Sequence, residues 1–141
     1  MITPISFFSI KPYPQQQNIT FTSKFKMNGG NPDLKALWDR GKLPTVTHGF
    51  YGDKLDWNTV TREHLLPKSK GGTKQFGNIV LASKAKNNGR GNDDIINHID
   101  IEAAKNYLRQ FLGLKEPLDG NRYIQAVKKT LKFLGVNLGK N

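Results

Sequence analysis

The sequence predicts one α+β domain, and three observations carry that reading. Two short runs rich in apolar, aromatic and β-branched residues, 57–61 and 78–81, sit mid-chain with a loop broken by Pro67 and Gly71-Gly72 between them. A short helical pattern precedes them, and two longer apolar stripes at helical spacing follow, each with an Asx cap and a glycine stop. The chain has 141 residues and no cysteine. A domain of that length buries roughly 68–70% of its unfolded surface, so packing alone can hold it. Disulfides, iron–sulfur clusters, thiolate zinc sites and cysteine nucleophiles are all excluded.

The elements follow in order. Residues 1–30 read as a separate segment, flexible or loosely docked. They carry Lys11, Lys24 and Lys26 and no acid, Pro12 and Pro14 forbid a helix, residues 19–25 alternate weakly like an edge strand, and Asn28-Gly29-Gly30 breaks the chain. The apolar patch 5–10 is too short for a secretory signal, and the lack of arginine counts against an organelle-targeting peptide. The rest, 31–141, reads as one domain with its core at 57–93 and helices over 94–135. Asn31 is a good cap and Pro32 a good first residue for a helix over 32–40, with Leu34, Leu37 and Trp38 on one face and Gly41 as its stop. A turn-rich stretch with Pro44, Gly49 and Gly52 leads to the first strand, 57–61. Ser83 can cap a short helix after the second strand, ending at Gly89. Asp93 or Asp94 starts a single turn, Asp100 caps a helix over 101–112, and Asn121 caps a last helix reaching Leu134. Both late stripes read as core packing. Trp38, Phe50, Tyr51, Leu55 and Trp57 are the expected packing residues around the strands.

Charge narrows the partner. Lys and Arg number 22 against 11 acids, a formal charge of +11. A polyanion is implied, nucleic acid before an anionic membrane surface. No apolar run approaches the ~18 residues of a membrane span, so no membrane association is expected and the cytoplasm or nucleoid is the expected compartment. The segment from Arg62 to Arg90 holds seven of the cations (Arg62, Lys68, Lys70, Lys74, Lys84, Lys86, Arg90) against one acid, Glu63. A lone acid there is either a solvated partner of a neighbouring cation or a ligand whose charge a metal ion balances. His64 adjoins it. Asn78 follows fourteen residues after the histidine and Asn87 twenty-three after it, with Pro67 three after it and Arg90 three beyond Asn87.

This succession, Glu63-His64-Leu65-Leu66-Pro67 through Gly71-Gly72 and Asn78-Ile79-Val80-Leu81 to Asn87-Asn88-Gly89-Arg90, resembles the HNH endonuclease family over about 30 residues. The resemblance implies a ββα-metal core with a lead-in helix and two C-terminal helices. It implies that His64 is the general base, that Glu63 and Asn87 hold one divalent ion (Mg²⁺ or Mn²⁺), that Asn78 ties down the loop and orients the base, and that Arg90 lies near a phosphate. Arg62, Lys68, Lys70, Lys74, Lys84 and Lys86 are the expected nucleic-acid contacts, with DNA the substrate and RNA left open. The chemistry agrees: imidazole titrates nearest neutrality, and a carboxylate with an amide oxygen suits a hard cation. The chain departs from the common family pattern in carrying Glu rather than Asp before the histidine, Asn rather than His at the third position, and no cysteine zinc ribbon. Asn88 stays an alternative to Asn87. His48 reads as a loop histidine, and His98 as a surface partner of Asp94. The last-helix lysines Lys128, Lys129 and Lys132 read as a solvated face. The competing reading is a non-catalytic basic nucleic-acid-binding module on the same fold; a basic protein of the membrane surface is a weaker third.

Overall fold

The structure, a computed structural model, describes residues 32–139. The segment 1–30, its weak strand signal at 19–25 and the expected cap Asn31 lie outside the described residues. Helix α1 (Leu34–Asp39) is capped by Asp33, whose carboxylate accepts from the amides of Lys35 and Ala36 at 3.1 and 3.3 Å. Asp33 stands next to Leu34, the first apolar residue of the stripe, and it also accepts from Arg62, so the cap does two jobs at once.

Strands β1 (Val60–His64) and β2 (Ile79–Ser83) pair antiparallel, with Val60 opposite Ser83, Glu63 opposite Val80 and His64 opposite Ile79. The first strand therefore lies three residues beyond the expected 57–61. Residues 57–59 are instead a turn, closed by the amides of Thr59 and Val60 on the Asp56 carbonyl at 2.9 Å. Trp57 is 80% exposed and is no part of the packing. Leu55 and Phe50 are buried as expected, and Trp38 docks by donating its indole N–H to the Val46 carbonyl at 2.8 Å.

A two-stranded sheet is marginal by itself in water. Here every residue of β2 is buried, because helices cover it and side chains satisfy its outer edge. The Tyr123 hydroxyl donates to the Ile79 carbonyl at 2.7 Å, and the Tyr107 hydroxyl accepts from the Leu81 amide at 3.0 Å and lies 2.8 Å from that of Tyr123. The Phe50 amide donates to the Leu81 carbonyl at 2.8 Å, and Asp53 accepts from the Ser83 amide. Tyr107 and Tyr123 come from helices α3 (Ile101–Arg109) and α4 (Gly120–Phe133). Their rings join Phe50, Phe111 and Phe76 in a chain of edge-on and tilted contacts, 4.7 to 5.8 Å between successive centroids.

Helix α2 (Lys84–Arg90) begins at the Ser83 cap and runs to Gly91, not Gly89; Gly91 has φ +59°, which takes the chain out of the helix. Helix α3 has the expected Asp100 cap but stops three residues short of Leu112. Residues 110–112 wind into tighter turns, Phe111 amide to Leu108 carbonyl and Leu112 amide to Arg109 carbonyl, and Leu112 is exposed. Its first residue, Ile101, is also exposed, so the buried stripe is Ala104, Tyr107 and Leu108, with Phe111 beyond the helix end. Helix α4 is capped by Asp119 rather than Asn121, the carboxylate taking the Arg122 amide at 3.1 Å. The result is an α+β fold in which β1, β2 and α2 are consecutive and packed together, with α1 before them and α3 and α4 after.

Candidate active site

Helix α2 returns alongside β1. At its start the Lys84 amide donates to the Thr59 carbonyl at 2.7 Å; at its end Arg90 reaches the last residues of β1. The face of β1 carrying Thr61 and Glu63, two residues apart and so on one side of the strand, therefore meets the face of α2 carrying Asn87 and Arg90, which lie three apart.

Arg90 is 4% exposed. Its guanidinium donates to the carbonyls of His64 and Leu65, both at 2.7 Å, and of Asp93 at 2.8 Å, and it pairs with Glu63 Oε2 at 3.3 Å. In this arrangement it clamps the end of β1 to the end of α2. Glu63 is 3% exposed, and Oε2 also accepts from the Tyr51 hydroxyl at 2.6 Å. Burial raises the Glu63 pKa even against the lowering effects of Tyr51 and Arg90. Burial first, and then the Glu63 charge, raises the Tyr51 pKa, so the phenol stays protonated and donates.

Asn87 is half-buried, and its Nδ2 donates to Thr61 Oγ1 at 2.9 Å and to the Arg62 carbonyl at 3.1 Å. Both bonds use the nitrogen, so the oxygen, the atom able to act as a ligand, is not consumed by them. Asn88 is exposed. Asn78 is fully buried and ties the loop at both ends: its Oδ1 accepts from the Leu66 amide at 2.8 Å, and its Nδ2 donates to the carbonyls of Leu66 and Thr73 at 3.1 and 2.9 Å. The Gly-Gly pair belongs to the same construction. A Cβ on Gly72 would stand 1.7 Å from the Leu66 carbonyl oxygen, so only glycine lets the loop close on Leu66.

His64 ends β1 half-buried, and its Nε2 is buried with no hydrogen-bond partner among the described residues. Burial pushes its pKa down to about 4, and the charges of Lys68, Lys74, Arg62 and Arg90 push the same way. The imidazole is therefore neutral near pH 7, with a ring nitrogen that has no partner among the described residues and lies in the field of several cations. A buried polar atom without a partner calls for a reason, and a catalytic role is one such reason.

The expected basic surface divides. Lys68 and Lys74 are exposed and lie within the field of His64; Lys84 and Lys86 are exposed on the first turn of α2. Arg62 is held by Asp33 through bonds of 3.2 and 2.8 Å, and Lys70 by Asp94 at 2.6 Å. His98 pairs with Asp93 at 2.8 Å, not with Asp94, because the turn at 95–97 swings the ring back to the earlier acid. His48 sits in a loop held by Gln110, which binds both its amide and its carbonyl, at 3.0 and 2.8 Å. Sequence reading missed three things: Tyr51 as the donor to Glu63, Asp33 as the anchor of Arg62, and Arg90 as a clamp. Only Asp33 had a local signal, its place just before the first apolar residue of a helix.

Among the described residues no group of three or more His, Asp or Glu side chains is placed to hold a metal ion. The donor set at hand is smaller, one carboxylate and one amide oxygen. It fits a hard cation that keeps most of its shell as water and substrate oxygens, as Mg²⁺ does. The structural observation behind that fit is the Asn87 amide oxygen, left out of both of that side chain's bonds, on the helix face that meets the buried carboxylate of Glu63. Among the described residues no helix is long and apolar enough to cross a membrane. Compared with family models, with curated proteins and with solved structures, the chain gives no match.

Proposed function

We propose that this chain is a metal-dependent endonuclease of the HNH type, with a ββα-metal core formed by β1, β2 and α2, hydrolysing phosphodiester bonds in DNA. The observation that carries the reading is the unpartnered, buried Nε2 of His64, a neutral base at the end of a strand and within the field of Lys68, Lys74 and Arg62. Those cations attract a phosphate. The bound anion in turn offsets the cations' share of the lowering, while the larger share, from burial, remains, so substrate binding raises the base part of the way toward the pH at which it works. Nε2 then takes a proton from the attacking water. Asn78 keeps the 66–73 loop from moving, and with it the chain that follows His64. Arg90 fixes the His64 carbonyl and so the direction in which the ring leaves the strand. Glu63 and Asn87 are the residues that would hold the ion. When bound, it supplies neutralisation of charge building on the phosphate and assistance to the departing oxygen.

One observation favours the non-catalytic alternative: Glu63 already has a cation, Arg90, at 3.3 Å, so its charge is balanced in part without a metal. Plasmid relaxation separates the two. Supercoiled plasmid is incubated with wild type and with His64→Ala, in EDTA, Mg²⁺ or Mn²⁺. Cleavage only by wild type and only with metal is the expected result, with a loss of about 10²–10⁴ in rate on removing the base. Retardation of DNA by both proteins with cleavage by neither makes the chain a binding module. A second readout needs no turnover. At ten times its Kd, Mn²⁺ stabilises wild type by about 1.4 kcal/mol, and Glu63→Gln loses that gain.

A further inference from the structure

Trp57 is the most exposed large apolar side chain among the described residues, at 80%. A single exposed apolar residue is ordinary; the position of this one is what matters. The turn that carries it, 57–59, abuts the first turn of α2 through the bond from the Lys84 amide to the Thr59 carbonyl, 2.7 Å. Lys84 and Lys86 stand exposed on that turn. An indole and two ammonium groups thus share the upstream end of the unit whose downstream end holds His64. The four strand steps from Val60 to His64 separate the two ends by about 13 Å, at ~3.3 Å per residue. Asp56, exposed in the same turn, repels phosphate, and the two lysines outweigh it.

We propose that Trp57 is a base-stacking platform, on which an unpaired or splayed base rests while Lys84 and Lys86 hold the flanking phosphates and the strand runs along β1 and α2 toward His64. The proposal rests on the nucleic-acid reading above and adds a second contact point, independent of catalysis. An aromatic face beside cations is the arrangement that binds single strands without regard to sequence, because every base has a π-face.

Binding is measured in the His64→Ala background, so that no cleavage intervenes, with a fluorescently labelled 16-nucleotide single-stranded DNA across a salt series. The chain has two tryptophans, so adding Trp38→Phe leaves Trp57 as the one indole. DNA should quench its emission. Trp57→Ala should weaken binding about 5- to 150-fold, as the loss of one stacked base implies, without altering the salt slope, since stacking releases no counterions. Trp57→Phe should restore part of the affinity. Lys84→Ala with Lys86→Ala should instead flatten the slope by about 0.7 per lysine. An abasic strand of equal length should bind protein with and without Trp57 alike. Equal affinity of the base-bearing strand for both proteins, or a Trp57→Ala loss that the abasic strand shares, overturns the stacking role. If that happens while plasmid cleavage by wild type persists, the nuclease reading survives it. If no strand binds at any salt, the stacking role falls, and plasmid cleavage by wild type decides the nuclease reading separately.

Discussion

Two buried polar clusters lie on either side of the small sheet, and they differ in one respect. On the β2 side, the Tyr107 and Tyr123 hydroxyls, the Leu81 amide and the Ile79 carbonyl form a closed circuit in which each group finds a partner. On the β1 side, Tyr51, Glu63, Arg90, Asn78 and Asn87 are also bonded, but the circuit ends at His64, whose Nε2 has no partner among the described residues. Both clusters contain tyrosines with raised pKa values, from burial first in each case. A perturbed pKa therefore does not distinguish scaffold from site. The open atom narrows the choice without deciding it, since among the described residues Asp53 Oδ1 is also buried without a partner; at His64 the charges of Lys68, Lys74, Arg62 and Arg90 are added to the open atom.

The largest effect that breaks this comparison comes from Arg90. Arg90→Ala leaves Glu63 as a buried charge without its cation and strips three carbonyls of their donor. The expected cost is about 3–5 kcal/mol, a large share of the ~5–15 kcal/mol that holds an ordinary domain together. Urea denaturation of the purified variant measures it. Arg90→Ala combined with Glu63→Leu should recover much of the loss, because it removes the stranded charge. If Arg90→Ala were as stable as wild type, the guanidinium would be free for a phosphate after all.

How legible this was follows from the same contrast. The stripes of α3 and α4 are written in apolar spacing, and Tyr107, Leu108, Ile124, Val127 and Leu131 are buried where that spacing puts them. Ser83 and Asp100 cap the helices they were expected to cap. The first strand was misplaced by three residues because Trp57, Thr59 and Val60 all favour strands, whereas the Asp56 carbonyl turns the chain there. Two caps were misassigned, to Asn31 and Asn121, although Asp33 and Asp119 stand nearby. In each case the choice was made by cap type and not by distance to the first buried residue. The candidate residues Glu63, His64, Asn78, Asn87 and Arg90 are chosen by identity and spacing along the chain. Their partners are not, since nothing local links Tyr51 to Glu63 or Asp33 to Arg62, twelve and twenty-nine residues apart.

A smaller effect sharpens the closed side. Tyr123→Phe removes the donor to the Ile79 carbonyl and the acceptor for the Tyr107 hydroxyl, while keeping the ring contacts with Phe111 and Phe76. A loss of about 1–2 kcal/mol is expected from the unsatisfied buried groups, read as a lower urea midpoint with an unchanged m-value. DNA binding and plasmid cleavage below the melting temperature should stay at wild-type levels. A cleavage defect without a stability defect would mean that this circuit reaches the site.

The smallest effect lies in the acid limb of the stability curve. Burial, and after it the surrounding cations, hold His64 at about 4 in the folded metal-free chain, against 6.5 for an ordinary imidazole. Between those two values the unfolded chain binds a proton that the folded chain refuses. Stability therefore rises with pH across this window; it is complete above pH 6.5 and drains away as the pH falls toward 4. The ring is partly exposed, and screening reduces the effect to about 1 kcal/mol between pH 7 and 5. Denaturation of wild type and His64→Gln in EDTA at both pH values measures it, and the wild type should lose more on acidification. An equal loss in the two proteins would place the imidazole in water, where its lone pair would be an ordinary surface group and the open end of the β1 circuit would no longer mark a site.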